Sequence, residues 1–195
     1  RNYFHDFVGS ATANVNEPIQ VGQSGTNARC SVRAIVEYNL IERCSVDPEA
    51  ISLKSSDNII RFNTLTSSVA SLVNRFGWRN QFVGNWVEQA RGIIIHDKDV
   101  SAVGNRLVRS EGKSHGLRVM TGNLAPGQYK LPNGNEGHCY AENAVLTGNL
   151  VDYMTIGSIY AGSTQYLPSR NTRVQGGQGQ IFYERQVGTV VQSSV

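Results

Sequence analysis

Leu65, Val69, Leu72, Val73 and Phe76 fall at i, i+4, i+7, i+8 and i+11. That is one apolar stripe on a 3.6-residue period, and it predicts an amphipathic helix over residues 63–76. Asn63 or Thr64 supplies an N-cap oxygen for an orphan N–H, and Gly77 supplies a stop that tolerates the left-handed conformation. No other segment carries so regular a pattern. One main helix beside several short β segments points to an α+β fold, with an antiparallel sheet and long loop insertions.

The β segments are read from alternation. Cys30, Val32, Ala34 and Val36 share one face, with Ser31, Arg33 and Glu37 on the other, which predicts a half-buried strand over residues 30–37. Ile93, Ile94 and Ile95 leave no polar face, which predicts a buried strand ending at His96. Residues 1–28 are rich in Asn, Gly, Thr and Ser, with aromatics at Tyr3, Phe4 and Phe7, and read as an N-terminal arm with loops. Residues 29–195 read as a single domain with a loop-rich insertion at about 98–140, where Pro126-Gly127 and Pro132-Asn133-Gly134 mark turns. Residues 144–160 suit a helix through Leu146, Leu150, Tyr153 and Met154, or a strand through Met154, Ile156 and Ile159. Gly176–Gly179 reads as a flexible turn beside short strands at Ile181–Tyr183 and Val187–Val191. No internal repeat and no heptad is evident.

Composition narrows the function classes. Hydrophobic residues make up 39% of the chain and charged residues only 17%, with Gly, Asn, Ser, Thr and Gln filling the gap. That balance suits a β-rich, loop-rich protein or a self-assembling subunit. The net charge of +3 permits contact with nucleic acid without demanding it. Three cysteines, Cys30, Cys44 and Cys139, with no CxxC pair, argue for a reducing compartment, so a cytoplasmic location is expected. No apolar run reaches the length of a membrane span, and no signal peptide opens the chain.

Catalytic signatures are missing. Gly112-Lys113-Ser114 ends like a phosphate-binding loop, but Leu107 stands where that loop needs Gly. There is no GxSxG elbow. His138 and Cys139 are adjacent, so on a strand they point to opposite faces and cannot pair as base and nucleophile; Cys139 reads as a small buried hydrophobe. His5, His96, His115 and His138 lack metal-ligand spacing, and His96 reads as a hydrogen-bonded residue closing a strand. Asp97 and Asp99 flank Lys98 in what reads as a solvated turn. The expectation is a protein without catalytic residues, metal or cofactor, and not an enzyme.

Both tryptophans lie in the stretch NRFGWRNQFVGNW, residues 74–86. Aromatics at a helix–strand connection commonly anchor a core. Trp86, next to the buried strand, reads that way. Arg75, Trp78, Arg79 and Asn80 read instead as a binding surface, because arginine forks suit phosphate and a flat indole stacks on bases. Arg91, Lys98, Arg106, Arg109, Lys113 and Arg118 extend the positive character downstream.

The run Asn74-Arg75-Phe76-Gly77-Trp78-Arg79-Asn80 resembles a segment of the crRNA-binding backbone subunit of type I-F CRISPR surveillance complexes. Val83-Gly84, Val87-Glu88 and the strand ending at His96 look similar to that family's next strand, and Gly162–Arg170 looks like a later strand and turn of the same family. The resemblance implies an RRM-like sheet and a non-catalytic subunit of an antiviral defence complex. Copies would self-assemble as a filament along single-stranded guide RNA, beside other subunits and away from membranes. Arg75, Trp78, Arg79 and Asn80 match its motif, and Arg170 stands where the family has Gln. Arg91, Lys98, Arg106 and Arg109 join the RNA-binding set on charge alone. The competing expectation is a viral or phage structural protein, a capsid or tail-tube subunit assembling through β-rich surfaces and the N-terminal arm.

Overall fold

Short strands joined by left-handed corner residues wind through the computed structural model. It describes residues 1–8, 17–25, 28–45, 47–109, 116–125, 128, 130–134, 137–152, 169–170, 173–179, 186–187 and 190–192. The strands are β1 (Tyr3–His5), β2 (Ile19–Gly22), β3 (Ile35–Glu37), β4 (Leu40–Glu42), β5 (Glu49–Lys54), β6 (Ile59–Arg61), β7 (Thr64–Thr66), β8 (Ser71–Phe76), β9 (Gln81–Val83), β10 (Trp86–Glu88), β11 (Ile93–Ile95), β12 (Ser101–Val103), β13 (Arg106–Val108), β14 (Leu117–Val119), β15 (Val145–Asp152), β16 (Ser169–Arg170), β17 (Arg173–Gly179), β18 (Gln186–Val187) and β19 (Val190–Gln192). Every pairing between them is parallel.

Parallel neighbours cannot be joined by a hairpin. Here each returns to its neighbour after a full circuit through two other sheets, which makes a parallel β-solenoid with three faces. The first face stacks β3, β6, β9, β12 and the start of β15. The second stacks β1, β4, β7, β10, β13 and the end of β15. The third stacks β2, β5, β8, β11 and β14. Because β15 continues across the corner, hydrogen bonding merges the first two faces into one sheet.

On the first two faces the middle residue of each three-residue strand points inward and meets its counterpart on the next turn. Ile60, Phe82, Ala102 and Leu146 form one such column, and Ile41, Leu65, Val87, Leu107 and Val151 another. On the third face Ile51, Leu72, Ile93 and Leu117 do the same. All of these side chains are almost fully buried, and each one larger than Ala102 contributes roughly 1.5–3 kcal/mol of transfer free energy.

The corner between the first and second faces carries Asn39, Asn63, Asn85, Asn105 and Asn149 in register. They lie 24, 22, 20 and 44 residues apart. Each Oδ1 from Asn63 onward accepts from the backbone N–H and the side-chain Nδ2 of the Asn one turn before. Asn63, Asn85, Asn105 and Asn149 also donate from Nδ2 to a strand carbonyl. The residue before each Asn is left-handed: Tyr38, Phe62, Gly84, Gly104 and Gly148, with φ from +54 to +61°. A buried amide that satisfies the ladder ends on every turn explains why the corner repeats in sequence.

These findings correct several expectations. There is no helix among the described residues, so the α+β fold and the antiparallel RRM-like sheet are both overturned. Residues 63–76 form β7, a corner and β8 instead. Leu65 and Leu72 point into the core from different strands, while Val69 sits 47% exposed at the corner between them. A strand–corner–strand path thus mimicked a helical stripe. The predicted strand over 30–37 contracts to β3, with Ser31 making an isolated parallel bridge to Ser56. Trp86, expected in the core, is an outward residue of β10 and 39% exposed. An internal repeat is present after all. Gly176–Gly179 lies within β17. The strand at Ile93–Ile95 is where the sequence put it, with Ile93 and Ile95 buried. Residues 145–152 form β15, whereas 153–160, 162–168 and 181–183 lie outside the described residues.

Candidate functional site

The third face differs from the other two in the residues it turns outward. On β5 the register shifts between Glu49 and Ile51, and again opposite Arg75, where Leu53 pairs with Asn74 and Lys54 with Phe76. Each shift is a bulge, which re-aims side chains that strict alternation would bury. Glu49, Ser52 and Lys54 of β5, Arg75 of β8 and Arg118 of β14 are thereby gathered on one side of the sheet, with Glu17 and Gln20 at its β2 edge.

Lys54 is held at the edge by two acceptors. Its Nζ donates to Glu17 Oε1 at 2.7 Å and to Gln20 Oε1 at 2.7 Å. The Lys54 and Glu17 side chains are only 13% and 15% exposed. Glu49 accepts from Ser52 Oγ. Burial pushes the Glu49 carboxyl above its ordinary range, against the opposing pull of Arg75 and Lys54. Asp47 is 3% exposed, and its Oδ1 accepts from the Glu49 backbone N–H at 2.9 Å. Its Oδ2 is buried with no hydrogen-bond partner. Burial raises the Asp47 carboxyl too, with Glu17 adding to the rise. Two carboxylates and two cations thus act on one another across β5 and β8.

Arg75 is held differently. Its Nη1 lies 2.7 Å from His138 Nδ1 and 3.1 Å from Nε2. The His138 ring tilts against His96, with centroids 5.1 Å apart. His96 is buried, and its Nδ1 lies 3.1 Å from the Cys139 carbonyl. Burial, then the Arg75 charge, holds His138 down at about 4. Burial likewise holds His96 well below the usual histidine range. Cys139 is fully buried, with Sγ donating to the Gln128 carbonyl at 3.0 Å, and its thiol is pushed up to about 11 by burial. Among the described residues no group of three or more His, Cys, Asp and Glu is arranged to hold a metal ion.

The residues singled out in the sequence do not form one surface. Asn80 is fully buried, donating from Nδ2 to the Ser55 carbonyl and to Asn74 Oδ1 while its own Oδ1 accepts from Asn58. Arg79 is at a left-handed corner, φ +56°, bonded through Nε and Nη2 to Asp57. Trp78 donates from Nε1 to Asp97 Oδ1 at 2.9 Å, and Lys98 Nζ sits 5.0 Å from its ring centroid. Asp97 is no solvated turn residue: it is fully buried and also accepts from Gly77 N and Arg29 Nε. Arg106 stacks over Trp86 at 4.7 Å on the second face, and Arg109 reaches Glu88 at 3.4 Å. Arg91 is exposed at the corner before β11, its N–H donating to Ala70. Arg170 lies in β16, and both its side chain and residue Lys113 lie outside the described residues. Of the expected residues whose side chains are described, Arg75 alone reaches the charged third face. Sequence reasoning missed Glu17, Asp47, Glu49 and Lys54, because the bulges break the alternation that would have marked one outward face.

Comparison with known proteins gives these residues a context. The chondroitinase B family model matches residues 1–116. A mannuronic acid specific polysaccharide family 6 lyase from human gut microbiota superposes with a TM-score of 0.70 at 22% identity, over 99% of this chain and 42% of that one. A PL6 family polysaccharide lyase from Pseudopedobacter saltans gives 0.67 at 17% identity, over 97% and 56%. A PL6 alginate lyase in complex with a trisaccharide gives 0.63 at 18%, over 82% and 41%. The chain therefore spans only about two fifths to just over half the length of these structures. No curated protein matches the chain in sequence. These matches overturn the resemblance to a CRISPR backbone subunit and, with it, the non-catalytic, filament-forming partner of single-stranded RNA. They equally overturn the capsid or tail-tube alternative, since the matched proteins are enzymes that act on polysaccharides. The Trp78, Arg79 and Asn80 part of the motif is accounted for by a corner of the solenoid, in which Asn80 and Trp78 bond to other turns of the chain.

Proposed function

This chain belongs to the chondroitinase B family, and we propose that its third face carries the cleavage site of a lyase acting on a uronate-containing polysaccharide. The observation that carries the reading is the gathering of Lys54 and Arg75 on adjacent strands, where both act on the same two carboxylates, Glu49 and Asp47. The likeness to alginate lyases supports it at the level of fold.

A uronate lyase breaks the C5–H and C4–O4 bonds and forms a C4=C5 double bond. The proton from C5 ends on the departing O4, so atoms balance without water. The difficulty is the negative charge that builds on C5 and its carboxylate. Arginine stays protonated in proteins, so Arg75 suits that charge as a fixed, two-pronged donor. A donor set in advance where charge develops is the largest catalytic term in many enzymes. Lys54 takes the proton-transfer role. Its Nζ is held in place by Glu17 and Gln20, and in the amine form it takes the C5 proton and passes it to O4. Burial raises the Glu49 and Asp47 carboxyls, while Arg75 and Lys54 pull them the other way.

The test is the mass of the products. Incubation with polymannuronate, polyguluronate and chondroitin-type chains should yield, from at least one, oligomers one water lighter than hydrolytic products. Oligomers carrying the added water, or no cleavage of any uronate polymer, contradict the reading.

A further inference from the structure

We infer that His138 is a positioning residue that holds the Arg75 guanidinium in place as a neutral acceptor, leaving the full positive charge of Arg75 available to an anionic sugar. The inference rests on the lyase reading of the third face and adds a residue to it from a segment distant in sequence, 63 positions away.

The geometry sets Arg75 apart from the cations that pair with a carboxylate. Arg29, Arg43, Lys54, Arg61, Arg79 and Arg109 all make ion pairs with a carboxylate. Arg75 instead has an imidazole within hydrogen-bond distance of Nη1, and among the described residues it makes no ion pair. A carboxylate in that place would orient the guanidinium and also cancel its charge. A neutral imidazole orients it and cancels nothing. The ring is itself fixed: the His138 backbone N–H donates to Asn123 Oδ1 at 2.9 Å, and the ring leans on buried His96.

The environment keeps the ring neutral. Facing it are Arg75 from β8 and His96 from the end of β11, whose own protonation is opposed by burial and by His138, Arg75 and Arg118. Nearby on the chain, Cys139 is a buried thiol raised by burial, so it adds no charge at neutral pH. The Arg75 charge also acts on Glu49 and Asp47, pulling both carboxyls down against burial. Protonating His138 would set a second cation against Arg75 at hydrogen-bond distance and drive the two apart. The acid limit of catalysis should therefore belong to His138, near pH 4.

The experiment compares His138→Gln, His138→Phe and His138→Lys in the full chain, with uronate polymer as substrate and folding checked by circular dichroism. Gln keeps a neutral acceptor that does not titrate. It should retain kcat within about threefold, while the acid limb near pH 4 moves or disappears. Phe removes the acceptor, and Lys imposes a permanent cation. Each should lower kcat about 100-fold, with a smaller change in KM, as expected for a misplaced group that acts in the transition state. An unchanged acid limb in His138→Gln, or wild-type kcat in a folded His138→Phe, overturns the inference. If the wild-type protein proves inactive on every uronate polymer, the lyase reading fails, yet the pairing is still decided by nitrogen NMR of the imidazole. A His138 that stays neutral down to about pH 4 upholds it, and one that titrates near 6.5 overturns it.

Discussion

The side-chain amide of Asn85 donates to Asn105 Oδ1 at 3.0 Å, and the backbone N–H of Asn85 donates to the same oxygen at 2.9 Å. One acceptor thus closes a whole turn of the solenoid onto the next. With Asn39, Asn63 and Asn149 the pattern runs through the corner as a continuous buried ladder. The ladder sets the register of the three faces, and therefore which β5 and β8 residues stand beside one another.

Replacing Asn85 with Ala should be costly. The change removes the acceptor of the Asn63 N–H and Nδ2 and the donors to Asn105 and to the Ile60 carbonyl. Unpaired buried polar groups cost about 1–3 kcal/mol each, partly relieved by local adjustment. A loss of roughly 2–4 kcal/mol in urea unfolding is expected, with the m-value unchanged.

Two glycines with positive φ should respond very differently to alanine. At Gly77, φ +101°, a Cβ would lie 2.1 Å from the Ser55 carbonyl oxygen, a backbone atom that cannot swing away. At Gly104, φ +60°, a Cβ meets nothing within 4 Å. Gly104→Ala should cost only the left-handed penalty of about 1 kcal/mol. Gly77→Ala should cost several times that, in the manner of overpacked sites, and should also disturb the bond from its N–H to Asp97. Thermal unfolding of the two variants side by side measures the difference.

The exposed corner pair Asp57–Arg79 gives a pH-dependent prediction. The bond from Arg79, followed by that from Ser31, holds the Asp57 carboxyl down at about 2, against an ordinary 3.8. A lowered folded-state pKa means the stabilisation is present above 3.8 and is lost as the pH falls toward about 2. Arg79→Ala should therefore be slightly less stable than wild type at neutral pH, a small effect as for surface pairs generally. The gap should close below about pH 2. Acid titration of both proteins followed by fluorescence tests this.

How much of this was written legibly in the sequence depends on the length of the element. Ile93–Ile95 was readable as a strand because three β-branched residues in a row admit few alternatives. Leu65, Leu72 and Phe76 were misread as one stripe because the three-residue strand of Leu65 shows only one inward position, and the next inward residues, on β8, lie beyond a corner. Spacings set by corners of varying length then imitate a helical period by chance. The Asn repeat escaped notice because its intervals of 24, 22, 20 and 44 residues are uneven, and no window of one or two helical turns contains two members. At the site, Arg75 was flagged for its neighbours in sequence, Trp78 and Arg79, which serve the corner rather than the face. Lys54 and Glu49 come from the turn before, and His138 from a segment 63 residues later. Only the stacking of turns brings them together.

The most direct test of the account is a progress curve of short-wavelength ultraviolet absorbance during digestion of a uronate polymer, because the C4=C5 double bond conjugated to the carboxylate absorbs there far more strongly than the substrate. Wild-type protein should produce rising absorbance on at least one such polymer. Lys54→Ala and Arg75→Ala, both folded by circular dichroism, should each lower the rate by about 100-fold or more, in keeping with the loss of a proton-transfer group or of a charge-stabilising donor. No rise from the wild-type protein on any uronate polymer, or a rise that survives both substitutions, would contradict the assignment of the third face as the cleavage site.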